Sequence, residues 1–410
     1  MRPRARLGCV LAAHTASSAG NTATAIAVPL HVLQTTGSTA LVGVAAAVAL
    51  VPVVLGGVFG GVLVDRVGYR RTSVASDLVG AVTIALVPLL DATAGLPFGV
   101  LLVLLFATGL LDTPGQAARH ALLPELSAEA GVALDRATGW MDAAERLARL
   151  LGAPLAGALV GLTGALTVLA LDAVTFLASA LLVAVGAPAV ARAVRARTGY
   201  WRELAEGLAF VRGDRLLRAV VLLVACTNAF DAAFSSVVLP VVARERFGGG
   251  PALGLLVGTF GAGAVLGALA YGAVGTRFPR RAVFAVAFLL VGAPRFLVLA
   301  ADPGLAVAVV TMVLTGVAAG AINPVLGAAE LERVPPHARA RVAGVVGAGA
   351  WAAMPIGQLG TGVALEHAAL PVVLLALGGA YLLVTLWPFG SATWAELDRA
   401  PDAAASPTSP

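Results

Sequence analysis

The sequence contains no lysine, and all 27 of its basic residues are arginine. A phosphate-binding loop of the Walker type needs a lysine, as do the Schiff bases of retinal and pyridoxal phosphate. The absence therefore argues against an internal ATPase motor and against a light-driven pump. Cysteine is scarce too: Cys9 and Cys226 lie in apolar segments and indicate no disulfide framework.

Charge is also scarce. Only 12% of the 410 residues are charged while 59% are hydrophobic, and the mean hydropathy is +0.93. A soluble domain carries roughly 25% charged residues. A soluble core could not bury this much apolar surface, so we expect the protein to be dissolved in lipid.

Patterns of catalysis and metal binding are missing as well. No Gly-x-Ser-x-Gly nucleophile motif occurs, and the five histidines show no metal-ligand spacing. The excess of arginine is explained by orientation in a membrane, so it does not require a nucleic-acid partner. We therefore predict neither an enzyme nor a metal site.

Twelve charge-poor runs predict membrane-spanning helices, because backbone amides in lipid must be paired within their own segment. The runs are 8–34, 39–64, 72–94, 97–118, 138–163, 165–187, 218–243, 251–275, 282–301, 304–328, 341–365 and 368–389. Most arginines fall in alternate connections, which predicts that both termini lie in the cytoplasm.

The two halves of the sequence match at a constant separation of 211 residues, which relates Pro29 to Pro240 and Gly43 to Gly254. A duplicated six-helix unit explains the match. We predict an all-α polytopic membrane protein of twelve helices in two pseudo-symmetric six-helix bundles. The predicted parts are an N-terminal bundle, a cytoplasmic linker, a C-terminal bundle and a disordered cytoplasmic tail, at 1–187, 188–217, 218–389 and 390–410.

The linker contains apolar residues at helical spacing, namely Trp201, Leu204, Leu208 and Val211. This pattern predicts an amphipathic helix on the inner membrane surface. An ordinary solvated linker helix is the alternative.

A glycine- and arginine-rich motif separates the second and third predicted spans. It consists of Gly61, Asp65, Arg66, Gly68, Arg70 and Arg71. The glycines permit a tight turn and the arginines favour the headgroup layer, whereas Asp65 sits at a helix C-terminus and needs a positive partner. The motif resembles the cytoplasmic loop signature of the major facilitator superfamily. The resemblance implies a gating loop whose aspartate engages the other half near Arg341; a plain positively charged loop is the alternative.

Four further runs, 114–124, 152–157, 172–176 and 323–324, resemble the branch of this superfamily that includes enterobactin exporters and macrolide-efflux proteins. Within them, Ala153, Pro154 and Gly157 resemble a helix-five signature associated with antiport, although a kink that only shapes the helix is an alternative. The branch has an arginine three residues after the helix-three aspartate, but here Asp77 is followed at that spacing by Gly80.

Polar residues recur every three or four positions on the first helix and form one face. The internal repeat gives the seventh helix an equivalent stripe. Because equivalent helices flank a central cavity in the superfamily, we expect both stripes to line it, with helix–helix adhesion as the alternative. The predicted substrate-cavity residues are His14, Ser17, Asn21, Thr24, Asn228, Ser235, Asn323 and Gln358.

Two charges, Asp231 and Arg295, fall in the middle of predicted spans. An ionised group at that depth costs several kcal/mol unless it is paired or hydrated. We therefore expect that the two residues pair, which makes Arg295 a buried charge partner, or that Asp231 carries the coupled proton. Asp112 and Asp172 are further candidates for proton coupling.

The resemblance implies a secondary transporter that works by alternating access. It implies export of a small, partly apolar compound (drug-like, macrolide-like or siderophore-like) in exchange for protons, with the proton gradient as energy source and no cofactor. An importer or uniporter, or a non-transporting receptor or scaffold, are the alternatives. The expected partners are the substrate, the proton and the lipid bilayer of a bacterial cytoplasmic membrane, and we expect a monomer.

Overall fold

The computed structural model describes residues 2–188, 200–335 and 338–398, and within these ranges the regular structure is entirely helical. The helices are α1 (Pro3–Thr36), α2 (Thr39–Val67), α3 (Tyr69–Thr93), α4 (Phe98–Ala130), α5 (Leu134–Thr163), α6 (Ala165–Gly186), α7 (Tyr200–Gly213), α8 (Arg215–Ala233), α9 (Leu239–Arg246), α10 (Gly250–Val274), α11 (Arg280–Val291), α12 (Ala293–Ala300), α13 (Leu305–Gly320), α14 (Ile322–Arg333), α15 (Arg339–Ala352), α16 (Met354–His367) and α17 (Leu370–Gly390).

Eleven helical segments of the described chain are long and apolar enough to cross a membrane. Helix α1 is not among them although it has 34 residues, because a run of hydroxyl, amide and imidazole side chains lowers its hydropathy. With α1 the segments correspond to the twelve predicted spans. The prediction of an all-α polytopic membrane protein is confirmed.

Helices α1 to α6 are continuous and reverse direction at short connections. Each of the five connections contains a glycine with positive φ, and these are Gly37, Gly68, Gly95, Gly131 and Gly164. Only glycine adopts this left-handed backbone without strain. Because the chain reverses at each connection, Gly37, Gly95 and Gly164 lie at one end of the helices, here called the Gly37 end, and Gly68 and Gly131 lie at the Gly68 end.

The later helices are interrupted where the sequence predicted continuous spans. The interruptions are a π-helical turn at Phe234–Val238 and breaks at Gly292, Ala321 and Ala353. Each lies a few residues before a proline, and these prolines are Pro240, Pro294, Pro324 and Pro355. Proline lacks the N–H of the helical hydrogen bond, and its ring clashes with the carbonyl four residues earlier, so the helix distorts just before it.

The chain forms two compact units. The first contains the described residues of 1–197 together with Ala232–Gly258 and Met354–Ala368; the second contains those of 198–231, 259–353 and 369–410. The grouping differs from the two halves of the internal repeat, since segments of α8 to α10 and all of α16 pack with the first six helices. The predicted boundaries at 187 and 217 remain predictions.

Glycine crossings hold the Gly37 end of the first unit together. A Cβ placed on Gly362 of α16 would lie 3.1 Å from the Cα of Gly43 on α2, and one on Gly157 of α5 would lie 2.7 Å from the Cα of Gly254 on α10. Glycine at such crossings lets two backbones approach closely. Gly43 and Gly254, which the internal repeat equates, thus both lie at close helix crossings.

Hydrogen bonds reinforce the same end of the first unit. The carboxylate of Glu366, near the end of α16, accepts hydrogen bonds from the backbone N–H of Ala40 and the hydroxyl of Thr39, both at 3.1 Å. Both donors lie in the first turn of α2, where free N–H groups and the helix dipole favour an anion. Arg244 of α9 donates to the carbonyl of Leu33 on α1.

In the second unit, the linker helix α7 packs against α15. Val211 is buried there, and Glu206 accepts a hydrogen bond of 2.6 Å from Arg341. The sequence placed Val211 on a face directed to the membrane, whereas the structure buries it against Val342 and its neighbours; Leu208 remains exposed. The side chains of Trp201 and Leu204 are outside the described residues.

Ion pairs fix the cytoplasmic connections that the sequence predicts for the second unit. Arg280 donates hydrogen bonds of 2.6 and 2.8 Å to Glu332, and these hold the pKa of Glu332 below its usual value. Arg333 lies 3.2 Å from Asp214. These contacts join α11 to α14, and α14 to the start of α8.

Candidate functional site

A cavity of about 550 Å³ lies within the first unit. Its apolar wall comes mainly from α1 and α2, with contributions from α3, α4 and α10. Its polar lining consists of Ser18, Asn21, Thr22, Thr24, Thr108, Asp112, Gln116, Glu145, Arg149, Ser236 and Gln358. A mostly apolar concave surface with a few polar groups is typical of a small-molecule site.

Asp112 forms the polar corner of the cavity. Its Oδ2 accepts hydrogen bonds from the amide of Asn21 at 3.1 Å and from the amide of Gln116 at 2.7 Å. Its Oδ1 is buried and has no hydrogen-bond partner among the described residues. The carboxylate therefore has one oxygen that is held in place and one that can bind a further donor or a proton.

Three of the predicted cavity residues, Asn21, Thr24 and Gln358, line this cavity. His14 and Ser17 are fully buried on another side of α1. The cavity-lining positions of α1 are Ser18, Asn21, Thr22, Thr24, Ala25, Val28 and Pro29. This face is rotated by about one residue from the predicted polar stripe, because the polar side chains of α1 also serve contacts with α4, α5 and α6.

The remaining predicted cavity residues lie elsewhere. Asn228, in the second unit, donates a hydrogen bond of 3.0 Å to the carbonyl of Ala350. Ser235 lies in the π-helical turn, where the neighbouring Ser236 lines the cavity instead. Asn323 is exposed in the first turn of α14.

A buried ion pair that the sequence did not predict connects α3 and α4. Arg119 Nη1 lies 3.0 Å from Oδ1 and 3.1 Å from Oδ2 of Asp77, and both residues are fully buried. Ser179 donates to Asp77 at 2.6 Å, and Arg119 donates to Ser17 at 3.2 Å. Arg119 directly follows the predicted span 97–118, so the sequence predicts it in a connection between spans. Arg119 of α4 gives Asp77 a positively charged partner. On α3 itself, the position three residues after Asp77 is Gly80, which carries no charge.

Asp172 joins α6 to α1. Its two carboxylate oxygens accept hydrogen bonds from Thr24 at 2.5 Å and from Thr175 at 2.9 Å, and the residue is only 1% exposed. Gly20 of α1 lies directly opposite the carboxylate, where any side chain would overlap it. Asp172 is therefore engaged in helix packing and does not line the cavity.

Asp231 and Arg295 contact each other directly in the second unit, with a hydrogen bond from Arg295 Nη2 to Asp231 Oδ1. The guanidinium carbon of Arg295 lies 5.4 Å from the ring centre of Phe296 and 6.0 Å from that of Tyr381. Aromatic faces attract a cation at such distances. The two charges that the sequence placed deep in separate spans thus form one group with two aromatic rings.

The structure also brings together three groups that are far apart in the sequence. His14, His120 and Glu145 place one ligand atom each within 4.8 Å of one another. The rings of His14 and His120 meet edge to face with centres 5.2 Å apart, and His14 Nε2 lies 3.4 Å from Glu145 Oε2. No local spacing signals this cluster, because its members lie on α1, α4 and α5.

The loop motif is described only in part. Gly68 has a φ of 91°, Arg70 donates to the carbonyl of Ala184, and Arg71 is exposed. The side chains of Asp65 and Arg66, and the surroundings of Gly61, are outside the described residues. The contact of Asp65 with Arg341 therefore remains a prediction.

The antiport-type residues lie at a helix crossing. A Cβ on Gly254 of α10 would lie 2.5 Å from the carbonyl oxygen of Ala153, and one on Gly258 would meet the ring of Pro154. Gly157 faces Gly254 directly. The three motif residues thus form the surface of α5 on which α10 packs.

Comparisons with known proteins agree with this architecture. A family profile described as the Major Facilitator Superfamily matches residues 10–247, and a second match covers 221–409. The multidrug efflux pump Tap of Mycobacterium tuberculosis is 31% identical over 405 residues, which cover 96% of this chain and 95% of the relative. Macrolide efflux protein A of Streptococcus pyogenes is 23% identical over 338 residues, with 82% and 83% covered.

Solved structures share the fold at low sequence identity. The nucleoside transporter NupG superposes with a TM-score of 0.74 at 14% identity, over 96% of this chain and 99% of that one. A POT family transporter superposes with a TM-score of 0.67 at 13% identity, over 93% and 95%. The profile matches and the full-length relatives show that this chain belongs to the major facilitator superfamily and is a polytopic membrane transporter, not an enzyme.

Proposed function

We propose that the chain exports small, partly apolar organic compounds from the cytoplasm in exchange for protons, and that the cavity of the first unit binds them. The observation that carries the proposal is the cavity itself, with its apolar wall and a polar corner built around Asp112. Such a surface binds lipophilic compounds of varied shape, because burial of apolar area is not directional. The names of the relatives, a multidrug efflux pump and a macrolide efflux protein, support this substrate class.

The ends of the cavity support loading from the cytoplasm. Glycine crossings and the Glu366 hydrogen bonds pack the Gly37 end closely. Arg149, which lines the cavity from the middle of α5, one turn from Glu145, has a side chain that is 70% exposed. The arginine distribution predicts that the Gly68 end faces the cytoplasm. On this proposal both termini are cytoplasmic, in the inner membrane of a bacterium.

Asp112 is the proton-coupling residue that the geometry favours. Asp172 has both carboxylate oxygens hydrogen-bonded within the bundle, and Asp231 is paired with Arg295. Asp112 lines the cavity, and its Oδ1 has no hydrogen-bond partner in the part of the chain that the structure describes, so a proton or a cationic substrate can bind there without breaking a hydrogen bond. If the proton and the substrate compete for this one carboxylate, the binding of one releases the other. The proton would then enter the cell as the substrate leaves it.

On this proposal, the other predicted elements have roles in gating or in stability. Asp65 and its neighbouring arginines act at the cytoplasmic loop, and Ala153, Pro154 and Gly157 close the opposite end against α10. The group formed by Asp231 and Arg295 stabilises the second unit.

Transport by inverted membrane vesicles tests the proposal. Vesicles from an efflux-deficient bacterial host that expresses the chain should accumulate radiolabelled erythromycin or ethidium when a proton gradient is imposed, and a protonophore should abolish accumulation. Asp112→Asn should reduce gradient-driven accumulation at least tenfold and should also weaken equilibrium binding of the cation ethidium, because the amide carries no negative charge. Asp142→Asn, on an exposed position of α5, serves as the control.

Three results would each overturn part of the proposal. Accumulation that ignores the imposed gradient would exclude proton exchange, and an Asp112→Asn variant with wild-type accumulation would exclude the assigned carboxylate. If neither compound bound nor moved under any condition, the substrate class would be wrong.

A further inference from the structure

We propose that His14, His120 and Glu145 form a binding site for one divalent transition-metal ion of the Zn²⁺ class. Their ligand atoms lie within 4.8 Å of one another, on three different helices. The site lies towards the Gly68 end, next to the cavity that Glu145 and Arg149 line. It is separate from the Asp112 corner and requires no assumption about the transported compound.

The donor set has the chemistry of a zinc site. Imidazole nitrogen and carboxylate oxygen bind Zn²⁺ at about 2.0–2.2 Å, so the ligand atoms of a tetrahedral site lie ~3.3 Å apart. His14 Nε2 and Glu145 Oε2 are already 3.4 Å apart. Two histidines and one carboxylate leave a fourth position for an exogenous ligand, as in open zinc sites. Harder cations fit less well, because Ca²⁺ and Mg²⁺ prefer oxygen ligands alone.

Only His120 has to move to complete the geometry. Its side chain is exposed at the surface of α4, so rotation about its side-chain bonds meets little resistance. A shift of about 1.5 Å brings separations of up to 4.8 Å to the tetrahedral value. His14, in contrast, is fully buried and held in place, so the site has one fixed, one half-buried and one adjustable ligand.

The present contacts of His14 satisfy it poorly as an ordinary buried histidine. Its Nδ1 is buried without a hydrogen-bond partner among the described residues. Its contact with Glu145 is 3.4 Å, which is longer than the 2.7–3.2 Å of a normal N–H···O hydrogen bond. Nε2, the nitrogen that faces Glu145, therefore makes only a weak hydrogen bond, and a buried polar atom of this kind is expected to have a further partner such as an ion.

The surrounding charges permit binding. Glu145 uses Oε1 for Arg149, which leaves Oε2 facing His14. The buried Arg119 close by is neutralised by Asp77. A bound ion would join α1, α4 and α5 and would add two positive charges at the cavity edge, where Glu145 and Arg149 form an ion pair with no net charge.

Equilibrium binding to the purified full chain in detergent, with any affinity tag of histidines removed, tests the site. Zn²⁺ titrated against a chromogenic indicator should bind at one ion per chain with a Kd at or below the micromolar range, and Co²⁺ should give the visible absorption of a four-coordinate site. His120→Ala and Glu145→Gln should each weaken binding at least tenfold. His367→Ala, which removes another exposed histidine, should change nothing.

His120→Ala is the decisive variant because its position is exposed, so it should fold like the wild type. Zn²⁺ should raise the unfolding temperature of the wild type but not that of His120→Ala. Fewer than one ion per two chains, or equal affinity in the wild type and His120→Ala, would overturn the proposal. In that case the cluster would be a hydrogen-bonded contact between helices.

Discussion

Arg119 and Asp77 are fully buried between α3 and α4, so removing either one should strongly destabilise the protein. Arg119→Met keeps most of the side-chain volume and removes the charge. It leaves the Asp77 carboxylate with Ser179 as a hydrogen-bond donor but without a counter-charge. Asp77→Asn makes the opposite change and leaves a buried guanidinium unpaired.

The size of the effect follows from the geometry. Two unit charges 3.0 Å apart attract each other by ~5.5 kcal/mol at an effective dielectric constant of about 20. Removing one partner of a buried pair costs about 3–5 kcal/mol, because the remaining charge stays desolvated. We expect each single substitution to lower the unfolding temperature by on the order of 10 °C. The double variant should recover a large part of this loss, since it leaves no charge unpaired.

A double-mutant cycle read out by thermal unfolding in detergent measures the coupling. Arg136→Met serves as the control because Arg136 is exposed, and it should shift the unfolding temperature little. If Arg119→Met were as stable as Arg136→Met, or if the two single losses simply added in the double variant, the pair would not be the structural connection described here.

Two further changes test the packing of the first unit. Gly157→Ala places a methyl group 2.7 Å from the Cα of Gly254, so it should reduce transport at least tenfold while the protein still reaches the membrane. Gly139→Ala is the control, because Gly139 has open space around it on the same helix, and this variant should transport normally. Equal transport rates for both variants would show that the crossing is not critical. Thr24→Val removes a hydrogen bond to the buried carboxylate of Asp172, so it should lower the free energy of unfolding by about 1–3 kcal/mol, measured as a lower unfolding temperature. Unchanged stability would contradict the packing role of Asp172.

Most of the fold could be predicted from the sequence. The membrane-spanning segments follow from local hydropathy, because each helix satisfies its own backbone and needs no partner to be recognised. The polar first helix was also predicted as a span, although its hydropathy is low, because its flanks and length fit one. The loop motif at Asp65 sufficed to indicate the family, since its residues are neighbours in the chain.

The candidate site was predictable only in part. Asn21, Thr24 and Gln358 do line the cavity, but the face of α1 that does so is rotated from the polar stripe. Hydroxyl and amide side chains serve helix contacts and cavity walls equally well, so composition cannot assign the face. Ser17 shows the difficulty, because its hydroxyl accepts a hydrogen bond from Arg119 inside the bundle.

Prolines show the same division between local and tertiary causes. Pro29, Pro52 and Pro88 lie inside continuous helices, whereas the chain breaks before Pro294 and Pro355. Each proline removes one hydrogen bond, but whether the helix bends or breaks depends on what packs against it.

The sequence by itself determined the solvent, the number of crossings and the family, because these depend on hydropathy and on motifs of adjacent residues. Only the tertiary structure decided which charges meet. Arg119 pairs with Asp77 and His14 lies beside Glu145, each across at least 42 residues of chain, and neither contact was expected from the sequence. The contact of Arg295 with Asp231 was one of two possibilities that the sequence left open. The physical reason is that a buried charge selects its partner by distance in space, and helix packing sets that distance.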